Sequence, residues 1–133
     1  MNFTIPGAPI SKKRPRFSRV RGVYDVQSRE KKKVQCILIS QMRKNNVLSP
    51  VDEKIRVEMS VHTALPSKTS QKGLKSLIGK GDPRKPDLDN FVKFYLDAMN
   101  KIVYRDDSLV VKILCEKIYS EHPRVEINIY TCE

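Results

Sequence analysis

Acidic residues are in short supply in this chain. Asp and Glu number 15 against 26 Lys and Arg, for a formal net charge of +11. A balance so lopsided points to a polyanionic partner, nucleic acid first. Other shortages narrow the field. No run of about 18 apolar residues occurs, so no segment reads as a membrane-spanning helix. The start, Met1-Asn2-Phe3-Thr4-Ile5-Pro6, has neither the charged beginning nor the apolar middle of a signal peptide. Cysteine occurs only as Cys36, Cys115 and Cys132, far apart and without a C-x-x-C pair, which argues against a zinc site or a redox motif. These three read as buried thiols in a reducing cytoplasm. The two histidines are isolated. His62 alternates within a strand pattern and His122 precedes a proline in a turn pattern, so neither is given a role.

The 133 residues fit one domain, 1–133, and 39% hydrophobic content suffices for one core. A short strand is expected over 2–5, stopped by Pro6-Gly7. Residues 11–21 are rich in Lys and Arg without helical or strand period, and Pro15 argues against a helix. Ser28 reads as the cap of a helix to about Asn45, with Val34, Ile37, Leu38 and Met42 at helical spacing. Ile55, Val57, Met59 and Val61 alternate with polar residues and predict a strand buried on one face. Basic, flexible loops are expected over 11–27 and 66–86, the second with one helical turn near Leu74–Ile78. A helix follows Pro86 and covers 90–102, with Phe91, Phe94, Tyr95, Ala98 and Ile102 on one face and Asp89, Lys93 and Asp97 on the other. Strands over 108–119 and 124–131 read as a hairpin. The fold class is α+β: a small single domain, order β-α-β-α-β-β, with two main helices packed on a mixed or antiparallel sheet.

Against the scarcity of acids, two stretches stand out: Lys85-Pro86-Asp87-Leu88-Asp89-Asn90 and Tyr104-Arg105-Asp106-Asp107, either side of the expected helix. Clustered carboxylates repel unless a cation lies between them, and hard oxygen ligands suit Mg²⁺ or Mn²⁺. An acidic metal pocket on a basic surface suits the cutting of a polyanion. A helix cap explains one of Asp87 and Asp89 but not both, and not the second pair. Asp106-Asp107 on its own fits an ordinary turn before a strand. Spacing leaves open whether the pairs meet in space. An EF-hand is excluded, because Phe91, Val92 and Ala98 stand where such a loop needs an acid or Asn, a Gly and a Glu.

The pattern D-x-D-N at Asp87–Asn90, Lys93 one turn later and Asp106-Asp107 beyond the helix resembles the RusA-type Holliday-junction resolvases. The early Lys-Lys-Arg-Pro-Arg-Phe segment and the Ser/Lys-rich loop before the motif extend the resemblance over most of the chain. It implies that Asp87, Asp89 and Asp107 are metal-binding acids, that Lys93 is a catalytic lysine, and that Asp106 is a supporting neighbour and possible metal ligand. It also implies Mg²⁺ with Mn²⁺ as a substitute, no organic cofactor, a homodimer, and cleavage of four-way junction DNA in recombination and repair.

Lys12, Lys13, Arg14, Arg16, Arg19, Arg21, Lys72, Lys75, Lys80, Arg84 and Lys85 are candidate phosphate contacts. Phe17 and Tyr24 lie among or near them and suit either base stacking or core packing. Two other readings stand beside this one: a non-catalytic nucleic-acid-binding module, and a metal nuclease acting on other branched DNA.

Overall fold

The computed structural model describes residues 1–67 and 70–133. Lys68 and Thr69, within the loop expected over 66–86, lie outside the described residues. The elements run β1 (Asn2–Pro6), β2 (Arg16–Ser18), β3 (Gly22–Tyr24), α1 (Ser28–Lys44), β4 (Ile55–Ala64), α2 (Gln71–Leu77), α3 (Leu88–Met99), a 3-10 turn (Asp107–Leu109), β5 (Val110–Ser120) and β6 (Arg124–Thr131). The class is α+β, with four strands in one mixed sheet of order β1-β6-β4-β5.

One face of that sheet holds the core. Phe3 and Ile5 of β1, Val125, Ile127 and Ile129 of β6, and Ile55, Val57, Met59 and Val61 of β4 are buried. They pack with Val34, Leu38 and Met42 of α1 and Phe91, Phe94, Tyr95, Ala98 and Met99 of α3. The opposite face is wet, which suits the polar half of each alternating strand. There Arg56 pairs with Glu58, Arg124 with Glu126, and Ser60 donates to Glu116.

Several expectations need correction. β5 and β6 are consecutive but do not form a hairpin, because β4 lies between them, parallel to β5 and antiparallel to β6. The period-two signal marks strands but says nothing of their order. Ser28 is the first residue of α1 and Gln27 its cap, without a side-chain cap bond. Gln27 is instead buried, donating to Ser11 O and accepting from Lys13 N. Helix α3 stops at Met99, where Lys101 takes a positive φ of 69° and turns the chain; Ile102 lies in that turn. Val111 and Ile113 alternate in β5 but stay exposed, since β5 is the sheet's edge strand.

The arginine-rich segment holds a hairpin, β2 paired antiparallel with β3. No buried face imposes a period on it, which is why the sequence shows none. None of the cysteines is buried: Cys36 is exposed, and Cys115 and Cys132 are half-buried. Among the described residues no helix is long and apolar enough to cross a membrane.

Candidate functional site

The first turn of α3 carries the D-x-D-N motif. Asp87 occupies the cap position with extended backbone, φ −66° and ψ 149°, yet its carboxylate makes no capping hydrogen bond. The capping explanation for this acid is therefore not realised, and the carboxylate stays exposed. Asp89 lies in the first turn, where unpaired N–H groups and the helix dipole favour negative charge. Lys93 Nζ sits 3.4 Å from Asp89 Oδ2, with both side chains about two-thirds exposed, at 64% and 65%. At the far end of the same polar face, Asp97 takes 3.1 and 3.3 Å contacts from Lys12 and Lys31. Burial pushes the Asp97 carboxyl up, and the two ammonium groups more than reverse this.

The second acidic pair divides its labour. Asp106 accepts from Lys101 Nζ at 2.8 Å and from Ser108 N at 3.1 Å, and these bonds hold its carboxyl well below the usual range. Asp106 thus fastens the turn. Asp107 opens the 3-10 turn with its side chain exposed.

The two acidic stretches sit at opposite ends of β5. Lys117 Nζ reaches Pro86 O, one residue before Asp87, whereas Asp107 opens the 3-10 turn that leads into Val110 at the strand's start. The strand from Val110 to Lys117 is roughly 23 Å long at the usual rise. Helix α3 runs its 12 residues, about 18 Å, between the same two ends. In line with this, among the described residues no three His, Cys, Asp or Glu side chains are grouped closely enough to hold a metal ion. The oxygen-only donors suit a hard cation in chemistry. A single chain does not gather them.

A basic arm lies against α3. The arm at 10–13 is stitched down rather than loose. Ile10 N donates to Tyr95 Oη at 2.9 Å, Lys12 N to Asn90 O at 2.9 Å and Lys13 N to Gln27 Oε1 at 2.7 Å. Burial pushes the Tyr95 hydroxyl up to about 12, so it stays protonated. Lys13, Arg14, Arg16, Arg19 and Arg21 are exposed, as are Lys72 and Lys75 on α2, and Lys80 and Lys85. Two expected DNA contacts are otherwise employed. Lys12 pairs with Asp97, and the Arg84 guanidinium bonds Asp82 and Ala64 O and lies over the Tyr119 ring. On the hairpin, Phe17 and Val23 face each other across the strands, each 73% exposed, and Val20 at the tip is 96% exposed. Tyr24 is instead covered by Arg21, whose guanidinium lies 4.5 Å from the ring centre.

Asp82 and Lys117 escaped the sequence reading. Asp82 had no signal beyond being one more acid beside Pro83. Lys117 had one, since it falls on the parity of Val111, Ile113 and Cys115, where an apolar residue is expected.

The sequence model of the family described as "Endodeoxyribonuclease RusA" matches residues 6–130. The chain is also 35% identical over 136 residues, covering 97% of this chain and 94% of the relative, to the "Uncharacterized protein YqaN" of Bacillus subtilis (strain 168). The match takes in the basic arm, the hairpin, both acidic stretches and the strands that place them, and on that ground the chain belongs to the RusA endodeoxyribonuclease family.

Proposed function

We propose that this protein is a structure-selective, Mg²⁺-dependent endodeoxyribonuclease that resolves four-way DNA junctions by paired phosphodiester hydrolysis in recombination and repair. The observation that carries this reading is the first turn of α3. There Asp87 sits at a cap position without capping, and Asp89 and Lys93 stand exposed beside it.

Asp87, Asp89 and Asp107 are the carboxylates assigned to Mg²⁺, with Mn²⁺ as a substitute and Asp106 holding the turn beneath Asp107. When bound, the cation would polarise the scissile phosphate and lower the pKa of its water. Lys93 offsets charge that builds on the phosphate or leaving oxygen as water adds at phosphorus and the scissile P–O bond breaks. Because one chain keeps the two acidic stretches apart, the reading includes a homodimer in which Asp87 and Asp89 of one copy work with Asp107 of the other. A two-fold dimer also supplies two equivalent sites for paired cuts on opposed strands. Val111 and Ile113, exposed near the start of β5, support self-association next to Asp107.

Affinity comes from Lys13, Arg14, Arg16, Arg19 and Arg21, with Lys72, Lys75, Lys80 and Lys85, through phosphate neutralisation and counterion release. Phe17, Val20 and Val23 offer an apolar tip among arginines, suited to unstacked bases at a branch point. The test is cleavage of a labelled four-way junction with and without Mg²⁺, beside Asp89→Asn, with fork, duplex and single strand as competitors. Cutting should require Mg²⁺, vanish in the variant and be best inhibited by unlabelled junction. Metal-dependent cutting that fork suppresses equally would move the reading to branched DNA in general. Binding without cutting would leave a non-catalytic module.

A further inference from the structure

Lys117 stands on the core face of the sheet. Its register partner in β4 is Val61, which is fully buried, and Lys117 itself is half-buried. An ammonium there needs partners, and it finds backbone. Lys117 Nζ donates to the carbonyl oxygens of Arg84 and Pro86, the second at 2.7 Å. Among the described residues it makes no salt bridge. A lysine used this way is a brace between chain segments rather than half of an ion pair.

The brace completes a series of restraints. Segment 79–82 runs alongside the outer edge of β5, with Gly79 N donating to Tyr119 O, Tyr119 N to Lys80 O and Asp82 N to Lys117 O at 2.9 to 3.0 Å. The Asp82 carboxylate, only 3% exposed, then accepts from Thr63 Oγ1 at 2.6 Å, Arg84 N at 2.8 Å and Arg84 Nε at 3.0 Å. Lys117 grips two carbonyls of the turn, those of Arg84 and Pro86. The last of these restraints, at Pro86 O, ends one residue short of Asp87, whose own carboxylate makes no capping bond. The hollow beside the turn is lined by Asp82, Asp87, Leu88 and Lys117 together.

We propose that Lys117, backed by Asp82, is a positioning residue for the acidic motif: it fixes the 82–86 turn and so holds Asp87 and the first turn of α3 in one place. This rests on the reading of Asp87 as a cation-binding acid. Preorganised placement matters because a misplacement of about 1 Å can cost on the order of a hundredfold in rate.

The test compares wild type, Lys117→Met, which keeps an unbranched side chain of nearly the same length but removes its ammonium donors, and Lys117→Arg, which keeps side-chain donors. Hydrogen exchange of the metal-free full-length protein should show faster exchange for the amides of 84–90 in Lys117→Met, with the rest of the sheet unchanged. In junction cleavage, Lys117→Met should lower kcat by about tenfold to a hundredfold and raise the half-saturating Mg²⁺ concentration, with KM for DNA little changed. Lys117→Arg should recover part of both. Should Lys117→Met not fold, Asp82→Asn gives the same local exchange readout. Unchanged exchange over 84–90, or a raised KM with kcat intact, would overturn the proposal and leave Lys117 as a DNA contact or a plain packing residue. Faster local exchange with no cutting by wild type in Mg²⁺ would leave the brace standing and remove the nuclease reading instead.

Discussion

The backbone amide of Lys12 donates to the carbonyl oxygen of Asn90 at 2.9 Å, which lays the basic arm against the turn that bears Asp89 and Lys93. The contact resolves an electrostatic conflict. Exposed carboxylates repel a DNA phosphate, and on the proposed reading a bound cation would neutralise only part of that field. On the same reading, a row of cations beside them would draw the DNA backbone to the place where the acids stand. Apart from the Lys12–Asp97 ion pair, the arm is fastened by backbone atoms, Tyr95 and Gln27, which leaves the charges of Lys13, Arg14 and Arg16 out of it.

Removing arm charge should therefore weaken binding without disturbing chemistry. In Lys13→Ala/Arg14→Ala/Arg16→Ala, junction affinity should fall and its dependence on salt should become shallower, by roughly 0.9 in the log–log slope for each DNA phosphate that the arm no longer neutralises. Filter binding or fluorescence anisotropy from low to moderate salt measures this. The rate at saturating DNA and Mg²⁺ should remain near wild type. An unchanged slope would place the DNA elsewhere on the surface.

Asp87→Asn and Asp107→Asn should each abolish cutting while leaving junction binding intact, since neither change removes a positive charge. Mixing the two inactive proteins tells more. In a mixed dimer built on sites shared between copies, one site carries both substitutions and the other carries neither. Subunit exchange should then restore single-strand nicking up to about half of one wild-type site's share, counted by two-fold symmetry. Sites contained within one chain would give no recovery. The test thus reads directly on the separation of the two stretches along β5.

Lys93→Ala removes the ammonium 3.4 Å from Asp89. As an exposed helix pair, that contact contributes at most about 0.5 kcal/mol to stability, so the melting temperature should hardly move. Single-turnover cleavage should slow by about a hundredfold or more if the charge acts on the phosphate. Weaker affinity alone would make Lys93 a contact residue.

What could be read from the chain before its structure follows a physical divide. The α3 face and the β4 alternation are visible because burial imprints a local period on consecutive residues. The acids stand out because they are rare in a chain of +11. The insertion of β4 between β5 and β6 was hidden, since pairing joins residues far apart in sequence, such as Val57 with Ile129. Hairpin β2–β3 was hidden for the opposite reason: it has no core side, so Phe17 and Val23 pair in the open and no alternation marks it. The distance between Asp87 and Asp107 was equally out of reach, because it depends on helix and strand lying side by side along the same span.

The exposed pair on that hairpin gives a further expectation. Phe17→Ala with Val23→Ala leaves every arginine in place, so affinity for linear duplex should change little. Opening of the branch point should suffer, read as a smaller rise of 2-aminopurine fluorescence at the junction centre on binding. Base stacking on a side chain is worth about 1–3 kcal/mol per base, so its removal should weaken junction binding by roughly tenfold or more. Equal weakening on duplex and junction would indicate that the hairpin had lost its fold rather than its role at the branch.

Asp82 carries the clearest pH signature. Burial pushes its carboxyl up, but hydrogen bonds from the Arg84 and Thr63 side chains and from Arg84 N–H, with the Arg84 charge, hold it far below the ordinary range. In the unfolded chain it returns to about 3.9. Above that value the carboxylate is ionised in both states, and its contribution to stability is fully present. As pH falls below about 3.9, the unfolded state takes up a proton that the folded state does not, so the contribution is lost progressively toward the folded pKa. Wild type should therefore exceed Asp82→Asn in stability by on the order of 2 kcal/mol near pH 6, the cost of breaking a buried charged hydrogen-bond set. The gap should narrow between about pH 4 and pH 2. Urea unfolding midpoints taken across that range measure it. A gap that stays constant with pH would mean that the Asp82 carboxyl titrates alike in both states, and that the turn before Asp87 is held without its charge.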